Sequence, residues 1–340
     1  MKIIEKVKSA YCSNKKLIAN MFGIGGTKAV AIAISLCTTP AYLRYFNNQA
    51  ILGLWLTLIS LTGTISSMDL GLGIGLRNKL TESFTKKDTK ESVALVSTSY
   101  LVMVIFAIVI CPISLLLINK ADIGLLFNDM IATELAQIRW SLSLMLISVL
   151  TQMILRLVNS VLYALQEAAL VSAVELITSI SMLAFVVIMP SGSDVNNLRT
   201  LTVFYCFASN IPYVILNLYI FGKKVKWCRP RIKEYDRQKL NIVLSLGLKF
   251  FYLTFMSMVL HNTNEVLISA LVNTSAVVEY QIYNNIFNLV ASIIAVIMVP
   301  LWSATTKALA EKNYRWLDST HKMLCRLSIA ALAVGLCIIP

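Results

Sequence analysis

Long apolar windows dominate this sequence and restrict what the chain can fold into. A membrane-crossing helix needs about 20 apolar residues. Eight windows reach that length, near residues 17–43, 51–76, 93–118, 139–163, 168–190, 200–221, 242–271 and 276–301, and a ninth begins near 324–340. With 57% hydrophobic residues, 14% charged residues and a mean hydropathy of +0.74, the chain lies outside the range of soluble globular domains. We predict an all-α polytopic membrane protein with eight complete spans and a ninth begun.

The basic residues lie mainly on one side of these spans. If the N-terminus is cytoplasmic, so are the segments 1–16, 77–92, 164–167, 222–240 and 302–323, which carry 22 of the 30 Lys and Arg residues. Cytoplasmic loops of membrane proteins carry such an excess, so the bias predicts a cytoplasmic N-terminus. It also accounts for most of the net charge of +13 without a nucleic-acid partner.

The longest cytoplasmic loop divides the chain. We predict a first transmembrane lobe of six helices at 1–221, a basic cytoplasmic linker at 222–240, and a partial second lobe at 241–340 with two helices and a ninth begun. A weak likeness between residues 26–28 and 247–249 suggests parallel repeats, as in many transporters. A full repeat would need six helices in the second half, so we expect the chain to be a fragment of a longer product.

Cysteine and histidine offer no metal chemistry. The seven cysteines form no CxxC pair, and the two histidines show no zinc or haem spacing. We therefore predict neither a metal site nor a cofactor.

Ionisable residues inside the predicted spans are the most informative signal, because each costs about 2.5–3.5 kcal/mol on insertion scales. Six occur: Lys28, Asp69, Arg156, Glu175, Lys249 and Glu265. Lys28 is the deepest, at about 16 Å from the cytoplasmic edge. Helical spacing places Arg156 in one polar stripe along the fourth span, made of Ser148, Gln152, Arg156, Asn159 and Tyr163.

These positions predict an amphiphilic cavity open to the cytoplasm, in which Lys28, Arg156 and Lys249 bind an anionic head group. In the alternative interpretation, Arg156 and Lys249 extend to the membrane surface, while Asp69 and Glu175 pair with them structurally. Glu265 either couples an ion to transport or makes a structural hydrogen bond.

The most distinctive segment is MDLGLGIGLRNKL at residues 68–80. Gly71 and Gly75, four residues apart, permit close helix contact or local unwinding at the inner end of the second span. A gate would lie there, so Asp69 and Arg77 join Glu175 and Glu265 as candidates for gating or ion coupling. The alternative is ordinary tight packing with Arg77 extended to the surface.

At this segment the sequence resembles the Wzx-type O-antigen flippases, which are polysaccharide exporters of the multidrug/oligosaccharidyl-lipid/polysaccharide superfamily. The likeness rests on DLGLGIGLRNK at 69–79, TPAYLR at 39–44, LGLW at 52–55 and LYALQ at 162–166. The resemblance implies a MATE-like two-lobed helical transporter fold of twelve helices, of which this chain holds a complete first lobe and a partial second lobe.

The resemblance also implies a function. Such a protein moves undecaprenyl-pyrophosphate-linked sugar repeats from the cytoplasmic to the periplasmic leaflet of the bacterial inner membrane, and it makes or breaks no bond. Its partners would be this polyprenyl-pyrophosphate-linked oligosaccharide, membrane lipids and other polysaccharide-assembly proteins. Two alternatives stay open: a drug/cation antiporter of the same superfamily, and a membrane glycosyltransferase or polymerase of polysaccharide biosynthesis.

Overall fold

The computed structural model describes residues 2–46, 49–67, 69, 71–120, 132–189, 192–271 and 298–338. Within these residues the chain is almost entirely helical and contains no β-strand, which confirms the predicted all-α class. The helices are α1 (Lys2–Tyr45), α2 (Gln49–Ser67), α3 (Leu72–Lys86), α4 (Thr89–Lys120), α5 (Ala132–Arg156), α6 (Val158–Ala164), α7 (Ala168–Ile188), α8 (Asp194–Tyr219), α9 (Arg237–Leu271), α10 (298–310) and α11 (Tyr314–Ile338).

Six helices of the described chain are long and apolar enough to cross a membrane. Hydrocarbon offers no hydrogen bonds to an exposed backbone, so a spanning segment has to satisfy its own N–H and C=O groups as a helix. The six are Phe22–Tyr45, Thr89–Lys120, Leu135–Ala164, Ala168–Ile188, Asn196–Lys224 and Arg237–Ser257, and Ile51–Ser66 is a shorter apolar helix. The protein is thus a multi-span membrane protein. Most of the predicted window 276–301 lies outside the described residues.

The second predicted span is interrupted near its end. We predicted one window over 51–76, but α2 ends at Ser67 and α3 begins at Leu72. Gly71 has a φ of +70°, a left-handed conformation that glycine adopts without steric cost. The chain therefore changes direction there, and α3 becomes a separate helix.

Two clusters of buried apolar side chains hold the helices of the bundle together. One joins α3, α4, α5, α6 and α8 through fully buried side chains such as Leu76, Val96 and Leu162. The other lies at the opposite end of the bundle, around the buried Trp55, where residues of α1, α2, α5, α7 and α8 meet. Helix α1 packs along α7, α5 packs along α8, and α3 contacts α4, α6 and α9.

The linker after α8 is folded onto α4. The backbone N–H of Arg231 donates to Ser97 Oγ at 2.9 Å, and that of Asp236 donates to Thr98 Oγ1 at 3.0 Å. Cys228 of the linker is fully buried, and this burial raises the pKa of its thiol to about 12. We call the side of the bundle formed by this linker and the α3–α4 and α6–α7 turns the basic end.

Candidate functional site

A cavity of about 270 Å³ lies where α2 breaks into α3, and α5, α6 and α9 complete its wall. Its polar lining comes from Ser66, Asp69, Arg77, Arg156, Asn159, Ser160, Tyr163 and Thr254. The break in the helix therefore places polar side chains and glycine backbone beside one another within the bundle.

Asp69 shapes the wall of this cavity by holding the start of α3. Its Oδ1 accepts the N–H of Gly71 at 2.9 Å, and its Oδ2 accepts the N–H of Gly73 at 3.1 Å. Ser160 Oγ of α6 donates to the Gly73 carbonyl at 2.7 Å. A carboxylate at a helix start satisfies N–H groups that have no partner within the helix. Both Asp69 oxygens are thus already engaged.

Arg156 presents a guanidinium at the last residue of α5. Its Nη1 donates to Ser66 Oγ at 2.5 Å, and its Nη2 lies 3.8 Å from Oε1 of Glu175 on α7. The Tyr213 hydroxyl of α8 also approaches it. Both side chains of the ion pair are more than one-third exposed, and such long, exposed pairs contribute about 0–1 kcal/mol. Because a guanidinium has five N–H donors, Arg156 retains capacity for a phosphate oxygen.

Arg77 lies at the boundary between the cavity and the second half of the chain. Only 8% of the residue is exposed. Its Nε donates to Ser303 Oγ at 3.0 Å, and its Nη2 donates to the Val299 carbonyl at 2.7 Å. The guanidinium also lies over the Tyr163 ring, 4.4 Å from the centroid. Among the described residues no carboxylate pairs with it. Carbonyl, hydroxyl and aromatic groups therefore take the place of the water molecules that would hydrate an exposed guanidinium.

A second contact strengthens the junction of α3 with α10. Trp302 Nε1 donates to Asn78 Oδ1 at 2.9 Å, and the Trp302 ring lies 5.2 Å from the Arg77 guanidinium carbon. We call this group the closing contact; it consists of Arg77, Asn78, Val299, Trp302 and Ser303.

Glycines bring α3 directly against α9 beside the closing contact. A Cβ at Gly71 would overlap the Gly247 carbonyl, and a Cβ at Gly75 would overlap the Val243 carbonyl. Only residues without a side chain allow this backbone approach. The segment at 68–80 thus combines both features that its glycines permit, an interruption of the helix and close helix contact.

The structure brings together three of the seven predicted site residues in the cavity wall: Asp69, Arg77 and Arg156. Glu175 contacts Arg156 from α7. Lys28 on α1 and Lys249 on α9 are exposed and do not line the cavity, so their binding role stays a prediction. Glu265 lies in α9, but its side chain is outside the described residues.

The predicted polar stripe of the fourth span divides into two parts. Arg156, Asn159 and Tyr163 line the cavity, whereas Ser148 and Gln152 form hydrogen bonds with α8. Ser148 Oγ accepts from Asn210 Nδ2 at 2.8 Å, and Gln152 Nε2 donates to the Ser209 carbonyl at 3.1 Å. The spacing of the stripe gave no sign of this division, because each partner lies on another helix.

Sequence reasoning missed Ser66, Ser160, Trp302 and Ser303. Ser160 was detectable, because it lies four residues after Arg156 and three before Tyr163, on the same face of the helix. The closing contact was not, because Arg77 and its partners at 299 and 303 are separated by more than 200 residues.

Comparison with solved structures identifies the fold. A MATE crystal structure in complex with MaD3S matches with a TM-score of 0.75 at 16% identity, over 94% of this chain and 72% of that chain. The outward-facing conformation of a multidrug resistance MATE transporter of the MOP superfamily matches with a TM-score of 0.73 at 16% identity, over 94% and 70% of the two chains. A MOP superfamily transporter from Pyrococcus furiosus gives 0.70 at 17% identity, over 94% and 70%.

No protein-family model and no curated protein matches the sequence. At these identities the structural likeness shows the fold, and it confirms the predicted MATE-like fold class.

Proposed function

We propose that the protein is a flippase that moves undecaprenyl-pyrophosphate-linked O-antigen or other polysaccharide repeat units from the cytoplasmic to the periplasmic leaflet of a bacterial inner membrane. The observation that supports this most directly is the Arg156 guanidinium in the cavity wall, which is only weakly paired with Glu175 at 3.8 Å. A diphosphate offers the charge-assisted, bidentate hydrogen bonds that a guanidinium forms best.

The hydrogen-bonding groups that remain available in the cavity favour an anion over a cation. Two guanidiniums, those of Arg77 and Arg156, stand in its wall beside the Asp69 carboxylate, and Glu175 pairs only loosely with Arg156, at 3.8 Å. The Asp69 oxygens accept N–H groups of α3, which leaves them less available to a cationic ligand.

The volume of the cavity limits what it holds in this conformation. At about 270 Å³, it is slightly below the range of about 300–1,000 Å³ for small-molecule sites. It therefore accommodates a diphosphate or a single sugar, and a longer glycan requires the bundle to open. In our proposal the basic end faces the cytoplasm, and opening there requires Arg77 to leave Val299 and Ser303, so Arg77 acts in gating and Asp69 supports it by holding α3.

The fold also supports a second candidate, a drug/cation antiporter, since one of the matched structures is a multidrug resistance MATE transporter. Glu175, whose side chain is 44% exposed, would be the carboxylate for a cationic drug. The matched Pyrococcus furiosus transporter is described as having a binding pocket of reverse polarity that suggests a different function. This fold thus accommodates pockets of opposite polarity, and the arginines of our chain favour the anionic substrate.

A flipping assay in liposomes tests the proposal. The protein is reconstituted with a fluorescent undecaprenyl-pyrophosphate-linked oligosaccharide, and protection of the label from an impermeant quencher reports flipping. Loss of a charge-assisted hydrogen bond costs about 1.5–3 kcal/mol, so we expect Arg156→Gln to slow flipping about tenfold to a hundredfold. Arg199→Gln is the matched control, because Arg199 lies over the Trp140 ring, away from the cavity. Equal flipping by Arg156→Gln and Arg199→Gln would contradict the proposal.

The same liposomes also test the antiporter function and the predicted binding role of Lys28 and Lys249. The antiporter would be established instead if the unmodified protein takes up ethidium along an ion gradient, flips no lipid-linked oligosaccharide, and loses the ethidium uptake in Glu175→Gln. Lys28→Ala and Lys249→Ala should slow flipping if the predicted three-cation site forms in an open conformation. Normal flipping by both would restrict the head-group site to Arg156.

A further inference from the structure

A second cavity lies on the outer face of the first lobe, between α7 and α8. It measures about 500 Å³, and its lining is almost wholly apolar. The exposed members of this lining are Ile177, Phe207, Ile211, Ile215 and Tyr219. The exposure of these side chains shows that none of the described helices covers this face. We call it the α7–α8 groove.

The groove is built into α8 by Pro212, which lines it. Proline has no N–H, so the Ala208 carbonyl one turn earlier loses its partner within the helix. Thr178 Oγ1 of α7 donates to this carbonyl at 3.1 Å. This hydrogen bond joins the α7 and α8 walls of the groove beside the proline.

Length suits the groove to a hydrocarbon chain from one leaflet. Its α8 wall runs from Phe204 to Tyr219, which at 1.5 Å per residue is about 22 Å. Half of the hydrocarbon core of a bilayer is about 15 Å thick. One tail therefore fits along the wall without leaving its own leaflet.

Basic side chains stand at the end of the groove that points to the basic end of the bundle. After Tyr219 the chain makes a π-helical turn over Ile220–Lys224, with the Val225 N–H bonded to the Ile220 carbonyl at 2.7 Å. This turn presents Lys223 and Lys224, both exposed. Lys224 pairs with Glu167, just before α7 begins, so the ion pair connects the two walls. Lys223 has no carboxylate partner among the residues described.

We propose that the α7–α8 groove binds one anionic phospholipid of the leaflet at the basic end, with a tail along Ile211 and Ile215 and the phosphate held by Lys223. The charge at this end of the groove favours an anionic lipid, because a zwitterionic head group carries no net charge to match the unpaired lysine, whereas an anionic head group is attracted to it. The site is separate from the Arg156 cavity, and its test needs no transport measurement.

Native mass spectrometry of the delipidated protein in detergent tests the proposal. The protein is titrated with phosphatidylglycerol and with phosphatidylcholine of the same acyl chains, and the dissociation constant of the first bound lipid is measured. We expect phosphatidylglycerol to bind more tightly. Lys223→Ala should weaken it about fivefold, which corresponds to about 1 kcal/mol per surface lysine. It should weaken phosphatidylcholine less, because the choline cation of that head group offsets the charge of its phosphate.

Two further variants separate the head group from the tail. Ile211→Phe fills the groove and should also weaken binding of phosphatidylglycerol. The matched controls are Lys233→Ala, an exposed lysine of the linker, and Ile108→Phe, an exposed position on α4; neither should change binding. An unfolding midpoint equal to that of the unmodified protein shows that each variant is folded.

The proposal is overturned if the two lipids bind equally, or if Lys223→Ala has no more effect than Lys233→Ala. It is also overturned if Ile211→Phe weakens both lipids alike while Lys223→Ala weakens neither. In that case the groove accepts any hydrocarbon tail, including the polyprenyl tail of a lipid-linked substrate.

Discussion

Gly75→Ala is the sharpest test of the contact between α3 and α9. The added Cβ would overlap the Val243 carbonyl and lie 3.2 Å from Val243 Cγ1 and 3.3 Å from the Gly247 nitrogen. Two of these three neighbours are backbone atoms, which cannot rotate away as a side chain would. The helices therefore have to separate.

The magnitude follows from the size of this overlap. Relief requires a movement of about 1 Å, and a gap of that size forfeits about a quarter to a half of the dispersion energy of the atoms that lose contact. Overpacking of this kind costs about 1–3 kcal/mol. Gly63→Ala is the matched control, since its Cβ would have no atom within 4 Å. The control should stabilise α2 by about 0.5–1 kcal/mol, because alanine restricts the unfolded chain.

Reversible unfolding in mixed micelles, followed by tryptophan fluorescence, measures both free energies of unfolding. We expect Gly75→Ala to lie below Gly63→Ala by about 1.5–4 kcal/mol. Adding Val243→Ala should not rescue Gly75→Ala, because the principal obstacle is the carbonyl oxygen. Equal stability of the two glycine variants, or full rescue by Val243→Ala, would refute the reasoning.

Three further predictions concern hydrogen bonds and the linker. Ser303→Ala removes an acceptor of the Arg77 guanidinium and should lower the free energy of unfolding by about 1.5–3 kcal/mol; an effect below 0.5 kcal/mol would show that the closing contact does not depend on it. Thr178→Val leaves the Ala208 carbonyl without its donor and should cost about 1–3 kcal/mol in the same assay, whereas Thr200→Val, which removes an exposed bond within α8, should cost almost nothing. Burial raises the pKa of the Cys228 thiol to about 12, so maleimide should label Cys228 very slowly at pH 8. Ser97→Ala removes the bond to the Arg231 N–H and should increase the labelling rate of Cys228, measured by peptide mass spectrometry. Equal labelling rates would show that Ser97 does not hold the linker.

Features that depend on local sequence could be predicted. The window at 168–190 became α7 at Ala168–Ile188, because the length of an apolar run decides whether a helix can cross a bilayer. The spacing of the polar stripe put Arg156, Asn159 and Tyr163 on one face, since residues three and four apart share a face of a helix, and these three side chains line the cavity.

Features that depend on distant partners could not be predicted. The glycine segment indicated that the inner end of the second span permits unwinding, but the positive φ of Gly71 and the approach of Gly247 depend on packing against α9. Likewise, the sequence shows Arg77 as a basic residue near the membrane surface. Its burial follows from the Val299 carbonyl and Ser303, which no local pattern relates to it.

The way the linker lies on α4 restricts how the start of α9 can move. Residues 231 and 236 are bonded to α4, and Lys239, in the first turn of α9, pairs with Glu91 of α4 at 2.6 Å. In mechanical terms, the predicted linker is therefore attached to α4 at three points just before and within the first turn of α9. A movement of α9 relative to α4 has to break these contacts first.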